Sequence, residues 1–298
     1  MAGSMEDIKE LRARTSAGVM DCKKALTEKD GDVDAAVEYL REKGMSEADD
    51  KAGRVAAEGK VNVVINDDKT EGMIVEVNSE TDFVAKNDRF KDLVDKISQH
   101  IMQSEINELD ALLSEDWYLD QDKDVDSVIR EAIAEIGENI NLRRFQKIST
   151  DGYLQGYIHL NGKIGVLVEL AGEDIEDNLR IAKDLAMHIA ASSPEYIDRD
   201  QVSKEAIKKE KKIYKEQMLN EGKPEHIIDN IVKGKMEKYY TQVCLLEQPF
   251  VRDEDVSVGE LLEDVDISVK DFVRYELGEG IEVEEEDFAE EVKQEMNR

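Results

Sequence analysis

The chain has 298 residues, 40% of them hydrophobic, and sets 40 Lys and Arg against 71 Asp and Glu for a formal charge of −31. That length predicts two or more domains, and the hydrophobic content is high enough for real cores rather than global disorder. The acidity repels phosphate, which argues against direct nucleic-acid binding as the main activity and suits a basic protein partner.

No run approaches the ~20 apolar residues of a membrane helix, and no signal-peptide pattern opens the chain. Cys22 and Cys244 lie far apart and in no motif. That fits a reducing, cytoplasmic setting rather than a disulfide framework. Met1-Ala2-Gly3-Ser4 before Met5 is set aside as a cloning scar.

Residues 5–46 read as a three-helix unit. Ile8 and Leu11 mark one face of the first helix, and Thr15 to Met20 form a turn in which Gly18 can take positive φ. Asp21 caps a second helix, Cys22 to Lys29. Asp32 starts a third with Val33, Ala36, Val37 and Leu40, and Gly44 fits its C-cap. Three short helices with a Gly-x-Met turn resemble a ubiquitin-associated (UBA) domain. The plainer alternative is a small bundle whose apolar loop caps its own core. Residues 47–60 are charged and rich in Ala and Gly, which reads as a linker.

An internal repeat follows. The first copy places strands at 61–66 and 72–77 and a helix at 88–102. The second places strands at 153–160 and 163–170 around Asn161-Gly162, a hairpin signal, and a helix at 177–191. Gly72-Met-Ile-Val-Glu-Val77 matches Gly165-Val-Leu-Val-Glu-Leu170, and Lys91-Asp-Leu93 matches Lys183-Asp-Leu185. The expected fold class is therefore α+β, a duplicated core of antiparallel sheets covered by helices. The N-terminal half would span 61–152, and the C-terminal half 153–198 with 248–277. The acidic stretch from Ser104 holds Trp117, read as a packing residue. A helix from Val125 and a strand at Asn141–Phe145 follow it.

Residues 199–247 read as a helical hairpin broken at Glu221–Pro224, long enough for an antiparallel coiled coil. One arm is basic through Lys208, Lys209, Lys211 and Lys212. A solvated face or an ion-pair surface accounts for that more simply than a nucleic acid does. A short helix at 257–265 and a strand at 269–277 follow. Residues 278–298 read as an acidic C-terminal helical module with Phe288, Ala289, Val292 and Met296 near one face.

The repeats differ at one place. Between strand and helix the first copy carries Thr81-Asp82-Phe83-Val84, where the second has a shorter Ala-Gly-Glu-Asp connection. Phe83 and Val84 can be read as a staple on the sheet, with Thr81 or Asp82 as N-cap. An element present in one copy only is also a candidate for function.

Catalytic signatures are missing from the sequence. There is no phosphate loop and no Gly-x-Ser-x-Gly, and the stretch Leu277 to Ile281 lacks the third Gly of a dinucleotide fingerprint. The four His residues have no metal-ligand spacing. Nothing calls for a cofactor, a metal or an enzyme.

Segments along nearly the whole chain together resemble the bacterial translation elongation factor Ts family. They include Leu11 to Thr15, Gly18-Val-Met-Asp-Cys-Lys-Lys-Ala25, Thr81-Asp-Phe-Val-Ala-Lys86, Gly137-Glu-Asn-Ile-Asn-Leu-Arg-Arg144, Met187 to Ser192, Gln248-Pro-Phe250 and Val273 to Ile281. The resemblance implies a guanine nucleotide exchange factor for elongation factor Tu, with no chemistry of its own. It implies that Thr81, Asp82, Phe83 and Val84 wedge near the Mg²⁺ and nucleotide site of Tu. It also implies that Val19, Met20, Cys22 and Lys23 rest on the GTPase domain. No direct nucleic acid and no membrane are expected, and a dimer of Tu–Ts heterodimers is compatible with the pattern. Two other readings compete with this one. One is a scaffold binding through residues 5–46, and the other is a nucleic-acid binder acting through the Lys208–Lys212 arm.

Overall fold

The computed structural model describes residues 4–15, 17–172 and 175–282. Phe288, Ala289, Val292 and Met296 of the expected C-terminal module lie outside them. The fold is a mixture of N-terminal helices and antiparallel sheets with helices, and it divides into two compact units. The first takes residues up to 60, 75–145 and from 276; the second takes 61–74 and 146–275.

The first unit opens with helices α1 (Met5–Thr15), α2 (Val19–Glu28) and α3 (Val33–Lys51). Their core is Ile8, Leu11, Cys22, Ala25, Leu26 and Ala36. Two boundaries differ from expectation. Helix α2 begins at Val19, so Val19 and Met20 form its first turn rather than a loop, with Gly18 extended at the N-cap.

Helix α3 does not stop at Gly44. It runs on to Lys51, so the first residues of the expected 47–60 linker are helical, and the last three open strand β1 (Glu58–Ile65). The reason is packing on helix α7 (Val125–Ile136). A Cβ on residue 44 would lie 3.0 Å from the Ala134 Cβ. The glycine permits close approach of two helices instead of ending one of them.

Strand β2 (Glu71–Ser79) lies between β1 and β5 (Ile140–Ser149) in a three-stranded sheet. Beyond β2 come α4 (Asp82–Ala85), α5 (Asp88–Gln103) and α6 (Leu109–Leu113). The apolar face of α5 is buried through Phe90, Leu93, Val94, Ile97 and Ile101. Glu76 is buried in the middle of β2. It accepts from Arg143 Nη1 (2.9 Å), Arg144 Nε (2.6 Å), the Gly278 N–H (2.8 Å) and Asn78 Nδ2 (3.1 Å). Burial alone would raise its pKa. The Gly278 N–H and the two arginines outweigh that and hold the carboxyl below its usual range. The Gly-Glu-Gly stretch is a turn, with Gly278 and Gly280 both at positive φ.

In the second unit, β6 (Tyr153–His159) and β7 (Ile164–Gly172) pair antiparallel, His159 opposite Ile164, and β7 also pairs with β10 (Ile267–Glu276). Helix α8 (Ile175–Ser192) covers this sheet, with Leu185 and Ile189 in one core with Val166, Val168 and Leu170, and α11 (Val258–Glu263) adds Val258 and Leu262 to that core. Residues 61–74 lie against β6 and β7 at two glycines. A Cβ on Gly165 would come within 2.4 Å of Val61 Cγ1, and one on Gly156 within 2.8 Å of Val63 Cγ1. Helices α9 (Lys204–Asn220) and α10 (Glu225–Val243) form the hairpin, closed over Met218, Ile228, Val232 and Met236.

The duplication extends further than the strand and helix patterns predict. In the first copy, His100 of α5 sits under a hairpin of β3 (Asp116–Trp117) and β4 (Asp120–Asp124). In the second, His188 of α8 sits under β8 (Pro249–Phe250) and β9 (Asp253–Ser257). His100 Nδ1 accepts from the Tyr118 N–H (3.4 Å), and Nε2 meets Glu115 Oε2 (3.0 Å). His188 Nδ1 accepts from the Val251 N–H (3.1 Å), and Nε2 meets Gln248 Oε1 (2.9 Å). An acceptor at Nδ1 leaves the proton on Nε2, so both rings are neutral. Trp117 stacks on His100 with centroids 5.0 Å apart, and Phe250 lies 5.8 Å from His188. Residues 115–130, the later part of the stretch after Ser104, are therefore the first-copy counterpart of residues 248–263.

Candidate functional site

The four residues at Thr81–Val84 occupy one turn but do not face one way. Thr81 is the N-cap of α4, and its Oγ1 accepts from the Val84 N–H at 3.3 Å. Val84 is buried and anchors the turn from beneath. Asp82 pairs with Lys86 one turn on, Oδ2 to Nζ 2.6 Å. Phe83 points outward and is 81% exposed. A staple would bury both apolar residues, and here Val84 alone does so. Large aromatic side chains are seldom left this open.

The turn is tied to residues distant in sequence. Glu138 accepts from the Thr81 N–H (3.0 Å) and from the Thr81 hydroxyl (2.7 Å). The Asn139 N–H donates to Glu80 Oε1 at 2.6 Å, and Arg54 lies 3.5 Å from the same carboxylate. Asn139 Nδ2 donates to the carbonyls of Ala52 (3.4 Å) and Arg54 (2.8 Å). Sequence reasoning did not single out Glu138 or Asn139 as site residues. The only signal for them was their place in the Gly137–Arg144 run.

The second group lies on α2 in the same compact unit. Met20 is 74% exposed, Val19 48%, and Lys23 is exposed as well. Cys22 is fully buried in the three-helix core, where burial pushes its thiol pKa up. It therefore supports the Val19–Met20 surface from behind. A continuous series of packed helices joins the two groups: α2 on α3, α3 on α7, α7 on α5, and α5 on α4.

Among the described residues no group of three or more His, Cys, Asp or Glu is arranged to hold a metal. No helix among them is long and apolar enough to cross a membrane. What the geometry offers is an exposed apolar ring beside an acid on a braced turn, together with an apolar helix start. Exposed apolar side chains of this kind are suited to contact with another protein.

The family profile described as Elongation factor TS matches residues 80–279. A protein named Elongation factor Ts from Halothermothrix orenii is 67% identical over 298 residues, all of both chains. Proteins of the same name are 49% identical in Clostridium botulinum strain Loch Maree, over 99% of each chain, and 50% identical in Clostridium perfringens strain SM101, over 96% of each. This is a translation elongation factor by class. The chain belongs to the elongation factor Ts family.

Proposed function

We propose that this protein is the guanine nucleotide exchange factor of elongation factor Tu in the cytoplasm. It binds Tu–GDP, wedges Asp82 and Phe83 beside the Mg²⁺ and nucleotide site, promotes GDP release and holds nucleotide-free Tu until GTP binds. The observation that carries this reading is Phe83, left 81% exposed on a turn whose other apolar residue, Val84, is buried. Val19, Met20 and Lys23 supply a second contact to the GTPase domain. Helices α1–α3 act as a UBA-like module and α9–α10 as a coiled-coil hairpin.

The physics is linkage. A partner that prefers nucleotide-free Tu weakens nucleotide binding by the same factor. Burying a Phe is worth about 1.5–3 kcal/mol. Each ~1.4 kcal/mol felt in the release transition state speeds release about tenfold.

The test is release of a fluorescent GDP analogue from elongation factor Tu. Wild type should accelerate it strongly. Phe83→Ala should lose about 10- to 100-fold of that acceleration while still forming the complex. Acceleration untouched by Phe83→Ala and Asp82→Ala would remove the wedge from this turn. No acceleration at all would move the scaffold reading to first place.

A further inference from the structure

We propose that Glu138 is a positioning residue for the exchange wedge, holding the Asp82–Phe83 turn at a fixed place relative to α7. The inference rests on the exchange reading above and adds to it a residue that does not itself enter the wedge.

The turn needs an external support. Helix α4 has only four residues, far below the ~12–15 at which an isolated helix becomes even marginally stable. Phe83 is outside the core and cannot fix its own backbone. Val84 anchors one side of the turn. At the other side the only side chain from a distant segment shown bonding to Thr81, among the described residues, is that of Glu138.

Its geometry suits the task. The two carboxylate oxygens take separate donors of one residue, the amide and the hydroxyl of Thr81. A bidentate, charged acceptor fixes direction as well as distance. The Thr81 hydroxyl gives its proton to Glu138 and uses a lone pair to accept from the Val84 N–H, so Glu138, Thr81 and Val84 form one chain.

Glu138 is itself placed by its neighbours. Gly137 ends α7 in the left-handed region at φ 93°, where a Cβ would be strained. Asn139, buried, bonds to Glu80 on one side and to Ala52 and Arg54 on the other. Residues 137–139 thus grip both the start of the wedge turn and the chain just after α3. Helix α7, which they end, also carries α3. One element therefore sets the wedge and the N-terminal helices against each other.

Two measurements test this. In the protein alone, Glu138→Ala should speed hydrogen exchange of the Thr81 amide at least about tenfold while amides of β2 and α5 change by less than about twofold. Glu138→Gln, which keeps one carbonyl acceptor, should fall between. With elongation factor Tu, Glu138→Ala should lower the maximal rate of GDP release about tenfold and shift the half-saturating concentration less than about threefold. Added to the double variant Asp82→Ala/Phe83→Ala, it should cause no further loss, because it acts only through the placement of those two side chains.

An unchanged Thr81 amide would overturn the brace. An equal loss in the Asp82→Ala/Phe83→Ala background would overturn the positioning role and make Glu138 a direct contact or a general stability residue. Wild type that fails to accelerate release would overturn the exchange reading and any role for Glu138 in it, and the Thr81 amide would still decide whether Glu138 holds the turn.

Discussion

Gly44 of α3 and Ala134 of α7 lie so close that a methyl group added to residue 44 would meet the Ala134 Cβ at 3.0 Å. A glycine inside a helix ordinarily costs roughly 1 kcal/mol relative to Ala. Here that cost permits the docking of α3 on α7. Gly44→Ala should be close to neutral, because the propensity gain and the tight contact oppose each other. Gly44→Val adds branching and volume at the same seam. It should destabilise the protein by about 1–3 kcal/mol and make residues 52–57 more sensitive to protease. Urea unfolding and limited proteolysis check both outcomes. A Gly44→Val protein as stable as wild type would show that the seam tolerates separation.

Glu76 gathers Arg143, Arg144 and the Gly278 N–H at one buried point. The arginines also reach the carbonyls of Glu279 and Glu276, so the cluster ties the chain after β10 to β2 and β5. Glu76→Gln removes the charge while keeping the shape. It should cost on the order of 3 kcal/mol, since breaking a buried ion pair leaves its partners unmatched. The folded carboxyl sits below its ordinary value near 4.5, so its contribution is complete above that pH and is lost as pH falls through the lower folded value. Denaturation at pH 7 and across the acid range would show both effects. The Gln variant should lose less stability on acidification than wild type.

The two buried imidazoles make a prediction in a different pH window. Burial lowers the pKa of His100, opposed by Glu115, and that of His188, opposed by the Gln248 hydrogen bond. The unfolded chain takes up protons near the ordinary value of about 6.5, before the folded protein does. Stability should therefore be flat above that pH and decline as pH drops from there through the folded values. The double variant His100→Gln/His188→Gln should start lower at pH 8 and show a shallower decline. Urea midpoints from pH 8 to pH 5 measure the slopes. A wild-type midpoint that does not move over that range would contradict the prediction.

Met20 tests the second contact without disturbing the core. It is 74% exposed on the first turn of α2. Met20→Ser should change stability by no more than about 0.5 kcal/mol. It should weaken the complex with elongation factor Tu about tenfold, as expected for loss of an interface anchor. Calorimetric titration would measure the affinity. An unchanged affinity would place the α2 start outside the interface.

Periodicity and turn chemistry made much of the fold legible. The apolar stripe of α5, the strands around Asn161-Gly162 and the break at Pro224 all follow local rules that operate within about ten residues. Phe83 stood out as the apolar residue of an insertion found in one copy. Other features were not legible, most of them because they depend on contacts between distant segments. Gly44 looked like a helix end because its partner, Ala134, lies 90 positions on. The hairpin strand β4 is Asp-Gln-Asp-Lys-Asp, with no strand-forming residue to announce it. Val84 and Cys22 belonged to the right segments, but the direction each side chain takes is set by packing. Glu138 is one of 71 acidic residues, and only proximity to Thr81 distinguishes it.

The paired histidine hairpins bear on how far the two halves can drift apart. Glu115 corresponds to Gln248, Trp117 to Phe250 and Tyr118 to Val251, so little residue identity survives at this point. What each ring requires is an oxygen opposite Nε2, a backbone amide opposite Nδ1 and a flat apolar neighbour. Many side chains meet those demands, and the amide is supplied by every residue except proline. The likeness of the halves therefore resides in a pattern of donors and acceptors rather than in the letters. Grafts between the halves should be aligned on His100 and His188 rather than on the best-scoring stretch of sequence.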